Sequence, residues 1–204
     1  MKQILLLGTN NPGKVKEIKA IFSSFKGKIL SPSNLSLDID IPETGQSYAE
    51  NARIKAMAYH KATGLPVLAD DSGLEVNLLQ GAPGIYSARF SPKANATDRD
   101  RRVYLLSKLE GLPQPWHAHF HCSAVLITSR GQIIKEDGQC HGVIIPEERG
   151  NHGFGYDPIF FIPEHGATMA ELDPEKKNKI SHRAKAMRAL QPHVMKLMQA
   201  EEND

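Results

Sequence analysis

Apolar and polar residues follow one another along the chain in blocks that predict strands and helices in turn. Ile4 to Leu7 are consecutive apolar residues, the pattern of a strand buried on both faces of an α/β sheet. A helix is predicted next, because Asn11 is a favoured N-cap, Pro12 suits the first helical position, and apolar residues then recur at helical spacing up to Phe25. The chain therefore starts with a strand, a loop and a helix.

The same two patterns recur in the next part of the chain. Alternating apolar residues at positions 35–41 predict a half-buried strand, and residues 47–50 have the form of a capping box that opens a helix ending at Gly64. Asn51 and Lys55 share one face of that helix, and a solvated face is the simpler interpretation of the pair.

Two further helices are predicted in the rest of the chain. Residues 97–110 place Val103 and other apolar residues at helical spacing, and a final helix begins after Ser181. The first turn of the final helix contains His182 and Arg183, whose positive charges oppose the helix dipole by about 0.3 to 1 kcal/mol for an exposed group. A nearby anion would offset that cost.

Strands are predicted at residues 66–69, 117–128, 132–143 and 159–162, with the second and third paired as a hairpin. Alternation places His117, His119 and His121 on one face of their strand, where a metal site and a plain exposed face are both possible interpretations. Strands interleaved with helices give an α/β fold, in which ligands bind at strand ends.

Composition limits the class of protein further. A chain of 204 residues can form one domain, and its net charge of +2 argues against a non-specific DNA binder. Cys122 and Cys140 are too few for a disulfide framework, the apolar run at the start is too short for a signal peptide, and no stretch could span a bilayer. We expect a soluble protein of the reducing cytosol.

The loop from Gly8 to Lys14 lies between the first strand and the first helix, where free N–H groups and the helix dipole favour an anion. It matches G-x-x-x-x-G-K, but Val15 stands where a P-loop has Ser or Thr, and Pro12 removes one N–H group. A phosphate-binding loop of another kind and a plain connection both remain open.

Two adjacent carboxylates follow the strand at residues 66–69, on a predicted turn that ends at Gly73. Because successive residues of an extended chain point to opposite faces, Asp70 and Asp71 should have different environments. Asp71, with Glu43, offers hard oxygen ligands for Mg²⁺, while Asp70 is expected to support the turn.

A second glycine-rich loop, at residues 150–158, carries Phe154 and Tyr156. These rings could stack on a nucleobase, or they could simply cover the edge of the core. With the lysines at positions 14, 55 and 177 as neutralising charges, the inventory suggests a nucleotide bound with a divalent ion.

Five segments stand in order across essentially the whole chain: residues 9–14 (TNNPGK), 69–73 (ADDSG), 81–89 (GAPGIYSAR), 154–157 (FGYD) and 181–183 (SHR). Together these segments resemble the inosine/xanthosine triphosphate pyrophosphatase family. The resemblance implies Mg²⁺-dependent hydrolysis of a deaminated purine nucleoside triphosphate, such as ITP, dITP or XTP, to the monophosphate and pyrophosphate. It also implies a bent mixed β-sheet flanked by helices, with two lobes around a central cleft in a single domain of residues 1–204, and a homodimer.

The resemblance also implies roles for individual residues. It assigns substrate binding to Thr9, Asn10, Asn11, Pro12, Gly13, Lys14, Lys55, Ser72, Phe154, Gly155, Tyr156, Asp157, Lys177, His182 and Arg183. It assigns Glu43 and Asp71 to the Mg²⁺ site, and Asp71 also to the role of proton acceptor for the attacking water. A related pyrophosphatase for other modified nucleotides and a non-catalytic nucleotide- or RNA-binding module are the alternatives.

Overall fold

The structure is a computed structural model that describes residues 3–197. Its strands are β1 (Ile4–Leu7), β2 (Lys28–Leu30), β3 (Val67–Val76), β4 (Trp116–Ile127), β5 (Ile133–Ile144), β6 (Phe160–Ile162) and β7 (Ala167–Thr168). Its α-helices are α1 (Pro12–Ile21), α2 (Tyr48–Thr63), α3 (Asp98–Leu109), α4 (Pro174–Ile180) and α5 (His182–Lys196). None of the helices in this described part of the chain is long and apolar enough to cross a membrane.

The strands form one seven-stranded sheet in the order β2-β1-β3-β4-β5-β6-β7. β1 pairs in parallel with β2 and β3, whereas β6 pairs antiparallel with β5 and β7. The predicted α/β class, a mixed sheet flanked by helices, is therefore confirmed.

The chain divides into two compact units. Within the described residues, unit 1 comprises residues 3–71, 122–138 and 183–197, and unit 2 comprises residues 72–121 and 139–182. The predicted single domain with a cleft between two lobes stays a prediction, and residues 1, 2 and 198–204 of its predicted extent lie outside the described residues.

Unit 1 is built around β1, which is buried on both faces as predicted. Leu5 and Leu7 belong to a cluster with apolar residues of α1 and α5, whereas Leu6 belongs to a second cluster with those of α2. Gly8 follows the strand where a Cβ atom would lie 2.7 Å from the Cβ of Ala69, so only glycine allows this approach to β3.

Unit 2 has its own apolar core, which includes Leu105 and Leu109 of α3, Trp116 of β4 and Phe160 of β6. The predicted position of α3 is confirmed, since Thr97 caps it and Asp100 completes the capping box. Val103, one of the apolar residues at helical spacing, is 55% exposed.

Residues 35–41 do not form the predicted strand. Pro32–Leu35 is a 3₁₀ helix and the segment after it has no regular structure. Leu37, Ile39 and Ile41 still pack, partly buried, against the second apolar cluster of unit 1. These residues thus alternate in burial without pairing as a strand. The edge strand β2, which is only three residues long, was not predicted from the sequence pattern.

Candidate functional site

The two central carboxylates lie inside a strand and not on a turn. β3 runs without interruption from Val67 to Val76, so the predicted turn at residues 70–73 is wrong. Asp70 is 0% exposed and Asp71 is 8% exposed. Successive strand residues point to opposite faces, and the two carboxylates indeed have different partners. The prediction of separate environments is confirmed.

Asp70 is the centre of a buried group of charges in unit 1. Its Oδ2 atom lies 3.0 Å from Lys14 Nζ and 3.1 Å from Arg183 Nε. Burial alone would raise the pKa of Asp70, but Lys14 and Arg183 hold that pKa well below its ordinary value. Asp70 is therefore a carboxylate anion that joins the first turn of α1 to the first turn of α5.

Arg183 stands in the first turn of α5, an end of the helix that is unfavourable for a cation. Its guanidinium is 2% exposed, and its Nη1 donates to Oε2 of Glu17 at 2.6 Å in addition to its bond with Asp70. The anions that offset its charge against the helix dipole are thus carboxylates of the protein itself. Burial would lower the pKa of Arg183, but Asp70 and Glu17 raise it above its ordinary value.

Asp71 contacts the other charged group of unit 1. Asn51 Nδ2 donates to Asp71 Oδ2 at 3.1 Å, and Lys55 Nζ lies 3.4 Å from Asp71 Oδ1 and 2.8 Å from Glu43 Oε1. Asn51 is 0% exposed, so the solvated face predicted for Asn51 and Lys55 is wrong. Burial lowers the pKa of Lys55, but Asp71 and other carboxylates outweigh it, so that the pKa is raised.

Asn51 also fixes the segment that carries Glu43. Its Oδ1 accepts the N–H of Gly45 at 2.9 Å, while its amide nitrogen serves Asp71. A Cβ at position 45 would lie 2.7 Å from that oxygen, which explains the glycine. Asn51 is therefore a residue of the site that the sequence prediction missed, although its spacing from Lys55 on α2 was the available signal.

Glu43 and Asp71 fit a Mg²⁺ site chemically. Both carboxylates meet at the single ammonium group of Lys55, so the arrangement already attracts a cation. Mg²⁺ in proteins is commonly held by one or two carboxylates together with substrate phosphates. Among the described residues no three His, Cys, Asp or Glu side chains form a group that could hold a metal ion, and the Mg²⁺ site at Glu43 and Asp71 stays a prediction.

The loop before α1 has the geometry of an ordered helix entry. Asn11 Oδ1 accepts the N–H of Lys14 at 3.1 Å as the N-cap, and Thr9 Oγ1 accepts the N–H of Asn11 at 3.1 Å. Asn10 Oδ1 accepts the N–H of Ser33 at 3.0 Å. The predicted N-cap at Asn11 is confirmed, with Pro12 in the first turn as expected. The role of the loop as a triphosphate-binding loop stays a prediction.

Unit 2 brings together a second set of the predicted site residues. Lys177 Nζ lies 2.7 Å from Asp157 Oδ2 and 5.0 Å from the centroid of the Phe154 ring. Asp157 Oδ2 also accepts the N–H of Phe154 at 2.9 Å. Phe154 is half-buried, whereas Lys177 and Asp157 are buried. The loop is thus closed by the hydrogen bond between Phe154 and Asp157, and it is joined to α4 by the ion pair between Asp157 and Lys177.

Tyr156 is a core residue of unit 2. It is 4% exposed, belongs to the apolar cluster, and donates its hydroxyl hydrogen to the carbonyl oxygen of Ser87 at 2.9 Å. Burial raises the pKa of this hydroxyl above its ordinary value. Of the two interpretations of the loop aromatics, Tyr156 matches the packing one, and Phe154 is the ring with an exposed part.

The remaining predicted residues of unit 2 are His182 and Ser72. The His182 ring stacks on Phe120 with a centroid distance of 4.7 Å and an interplanar angle of 14°. Ser72 is half-buried in β3. Their assignment to substrate binding stays a prediction.

The histidine face of β4 also lies in unit 2. Two of its histidines lie near the carboxylate of Glu75. Oε2 of Glu75 lies 3.3 Å from His119 Nε2, and Oε1 of Glu75 lies 3.7 Å from His121 Nδ1. His117 is exposed, and His119 and His121 are half-buried. Burial lowers the pKa of His119 despite Glu75. No metal cage forms here among the residues that the structure describes.

Fold and site together define an α/β protein with a side-chain-capped helix entry and a cluster of lysines and carboxylates. Comparison with known proteins identifies its family. The model of the Ham1 family matches residues 5–193, and the chain belongs to the Ham1 family. This confirms the family resemblance inferred from the sequence.

Individual relatives agree with this assignment. The dITP/XTP pyrophosphatase of Desulforamulus reducens is 46% identical over 185 residues, which cover 90% of this chain and 92% of the relative. That of Geobacter sulfurreducens is 44% identical over 191 residues, covering 93% and 96%. The structure of a HAM1 protein from Coxiella burnetii is similar with a TM-score of 0.85 and 40% identity, covering 95% of this chain and 99% of that one.

Proposed function

We propose that the protein hydrolyses deaminated purine nucleoside triphosphates, namely dITP, XTP and ITP, to the monophosphate and pyrophosphate with Mg²⁺ as cofactor. The enzyme class, a hydrolase of nucleoside triphosphates, follows from the family and from relatives such as the two dITP/XTP pyrophosphatases. The observation that carries the proposal is the cluster in unit 1, where Lys55 joins Glu43 and Asp71.

The residues of unit 1 have the chemistry for cleaving a phosphoanhydride. Lys14 and Lys55 carry positive charge that neutralises a polyphosphate, and Asp71 is an anionic oxygen base that can accept the proton of the attacking water. Asn51 and Lys55 orient the Asp71 carboxylate. When bound at Glu43 and Asp71, Mg²⁺ would supply further charge for stabilising the leaving pyrophosphate.

The residues of unit 2 are proposed to recognise the base. The exposed part of the Phe154 ring offers a stacking surface, and Lys177 offers a donor for a keto oxygen. His182 is proposed as a further donor. Arg183, assigned to the same role by the resemblance, would have to turn away from Asp70 or Glu17 to meet a base. A polar site built for a 6-keto group discriminates strongly against the 6-amino group of adenine.

A product assay tests the proposal. The protein is incubated with Mg²⁺ and ITP, dITP, XTP, GTP or ATP, and pyrophosphate and orthophosphate are measured separately. We expect pyrophosphate and monophosphate from the deaminated nucleotides at a rate at least about tenfold above that of ATP or GTP. Release of orthophosphate, or equal rates for all five, would contradict the proposal.

Removal of metal ions by a chelator tests whether turnover requires Mg²⁺. EDTA should remove turnover and excess Mg²⁺ should restore it, because two carboxylates and a polyphosphate would otherwise repel one another. The partner is proposed to be a free nucleotide and no nucleic acid. Tight, salt-dependent RNA binding without hydrolysis would favour the alternative of a binding module. The homodimer, the absence of membrane association and the cytoplasmic location stay predictions.

A further inference from the structure

One helix holds both backbone polar groups of Gly155. Asp98 Oδ2 accepts the Gly155 N–H at 2.7 Å, and Arg102 Nη1 donates to the Gly155 carbonyl oxygen at 2.8 Å. Asp98 and Arg102 are four positions apart on α3, so their side chains lie on the same face of the helix. Gly155 has φ +63°, a left-handed conformation that suits glycine and directs the chain between Phe154 and Tyr156.

Each of the two side chains is itself braced. Arg102 Nη2 lies 2.8 Å from Glu148 Oε2, and Arg101 donates to the other oxygen of Asp98. The bonds to Gly155 are charge-assisted, and such bonds are about twice as strong as neutral ones. The same contacts act on the pKa of Asp98: burial would raise it, but the Gly155 N–H and the arginines keep it below its ordinary value.

The bonds to Gly155 are one of three sets of contacts that hold the loop around Phe154 in place. On one side of Gly155, the Phe154 N–H is bound by Asp157, and on the other side the Tyr156 hydroxyl is anchored on Ser87. The Phe154 ring is the half-buried member of this otherwise fixed segment, and Lys177 stands over it. Its direction therefore depends on the peptide units that α3 holds.

We propose that Asp98 and Arg102 are positioning residues for base recognition. They hold Gly155, fix the orientation of the Phe154 ring and thereby set the affinity for the nucleobase without touching the substrate. This inference rests on the proposed function, because it takes Phe154 as the base-stacking ring. A ring presented in one orientation binds a base without first losing conformational freedom.

The test compares variants of one helix. Arg102→Met and Asp98→Ala each remove one bond to Gly155, Asp98→Asn keeps an acceptor oxygen, and Arg99→Met removes an exposed charge from the same helix as the matched control. We expect the first two to raise the KM for dITP about tenfold with kcat within about twofold. Asp98→Asn should recover most of the loss, and Arg99→Met should match the wild type.

A base-free ligand separates positioning from general damage. Inorganic tripolyphosphate carries the phosphates without a base, so its inhibition constant should stay unchanged in Arg102→Met and Asp98→Ala. A fall in kcat at constant KM, an equal loss for tripolyphosphate and dITP, or the same KM shift in Arg99→Met would overturn the inference. If thermal unfolding shows that Asp98→Ala does not fold, Arg102→Met carries the comparison, with Arg102→Lys as its conservative variant.

Failure of this inference and failure of the proposed function are distinguishable. If the wild type releases no pyrophosphate from any deaminated nucleotide, the proposed function falls. If the wild type is active and the α3 variants keep its KM, only the positioning role of Asp98 and Arg102 falls.

Discussion

The two units hold their predicted site residues in different ways. In unit 1 the carboxylates share cations: Asp70 binds Lys14 and Arg183, and Lys55 binds both Asp71 and Glu43. In unit 2 the contacts are mainly those of one loop, in which backbone groups are bound by side chains and a ring is buried in the core. Unit 1 is thus organised mainly by shared charges, whereas unit 2 has one buried ion pair, between Lys177 and Asp157, and otherwise relies on side chains that bind the backbone of one loop.

This difference matches what a nucleotide requires. A triphosphate is recognised by its charge, which a cluster of lysines, a cation site and a helix entry can neutralise. A base is neutral and flat, so its recognition needs an oriented ring and oriented donors. Changes of charge should therefore have large effects in unit 1, and smaller, shape-dependent effects in unit 2.

The largest effect is expected at Asp71, the proposed general base. Asp71→Asn removes the proton acceptor while the amide can still meet Asn51, so turnover of dITP should fall about 10²- to 10⁴-fold. Pyrophosphate release measures the rate, and thermal unfolding serves as the control for the fold. Activity near that of the wild type would remove Asp71 from this role.

Neutralising the buried carboxylates should separate the two units by stability. Asp70→Asn leaves Lys14 and Arg183 without their shared anion and should cost about 3 to 5 kcal/mol of unfolding free energy. Asp157→Asn leaves one buried cation, Lys177, without its anion instead of two, and an Asn oxygen can still accept the Phe154 N–H, so it should cost less, about 2 to 3 kcal/mol. Urea unfolding measures both. An equal or larger loss in Asp157→Asn would break the comparison.

Acid should reveal the same charge effect. The folded-state pKa of Asp70 is depressed below the ordinary 3.8, so its stabilisation is complete above that pH and is lost as the pH falls through lower values. The stability gap between wild type and Asp70→Asn should be constant between pH 5 and 7, and should shrink below pH 4 by about 1.4 kcal/mol per pH unit. A gap that does not change down to pH 3 would contradict this assignment.

The smallest effect is expected in the loop of unit 2. Tyr156→Phe keeps the buried ring and removes only the hydrogen bond to Ser87, so the free energy of unfolding should fall by about 1 kcal/mol. Removing the hydroxyl takes this hydrogen bond from the carbonyl oxygen of Ser87, but it takes the counter-ion from no charged group. A loss above that of Asp157→Asn would show that hydrogen bonding, and not charge, dominates both units.

Much of the fold could be predicted because local signals were strong. Buried apolar runs marked β1 and β6, alternation marked β4, and an N-cap at Asn11 and a capping box at Ser47 marked the starts of α1 and α2. The sequence signals failed at residues 35–41, where alternate residues are partly buried although the segment does not pair as a strand. They failed also at β3, since Asp and Gly were interpreted as turn residues although distant cations stabilise Asp70 within a strand.

The site could be predicted only as a set of chemical types. The family motifs indicated which residues matter, but not that Arg183 is bound by Asp70 and Glu17, because Asp70 and Arg183 are 113 positions apart in sequence. Asn51 was missed for a similar reason, since its partner Asp71 is 20 positions away. Spacing on one helix or strand is visible in a sequence, whereas ion pairs between distant elements are not.

His182 and Arg183 are neighbours in the chain but belong to different units, and their side chains have different partners. Natural variation at these two positions should therefore be uncoupled. Exchange of Arg183 should be accompanied by changes at Asp70 or Glu17, whereas exchange of His182 should follow changes at Phe120. In an alignment of related chains, substitutions at position 182 should therefore not correlate with substitutions at position 183.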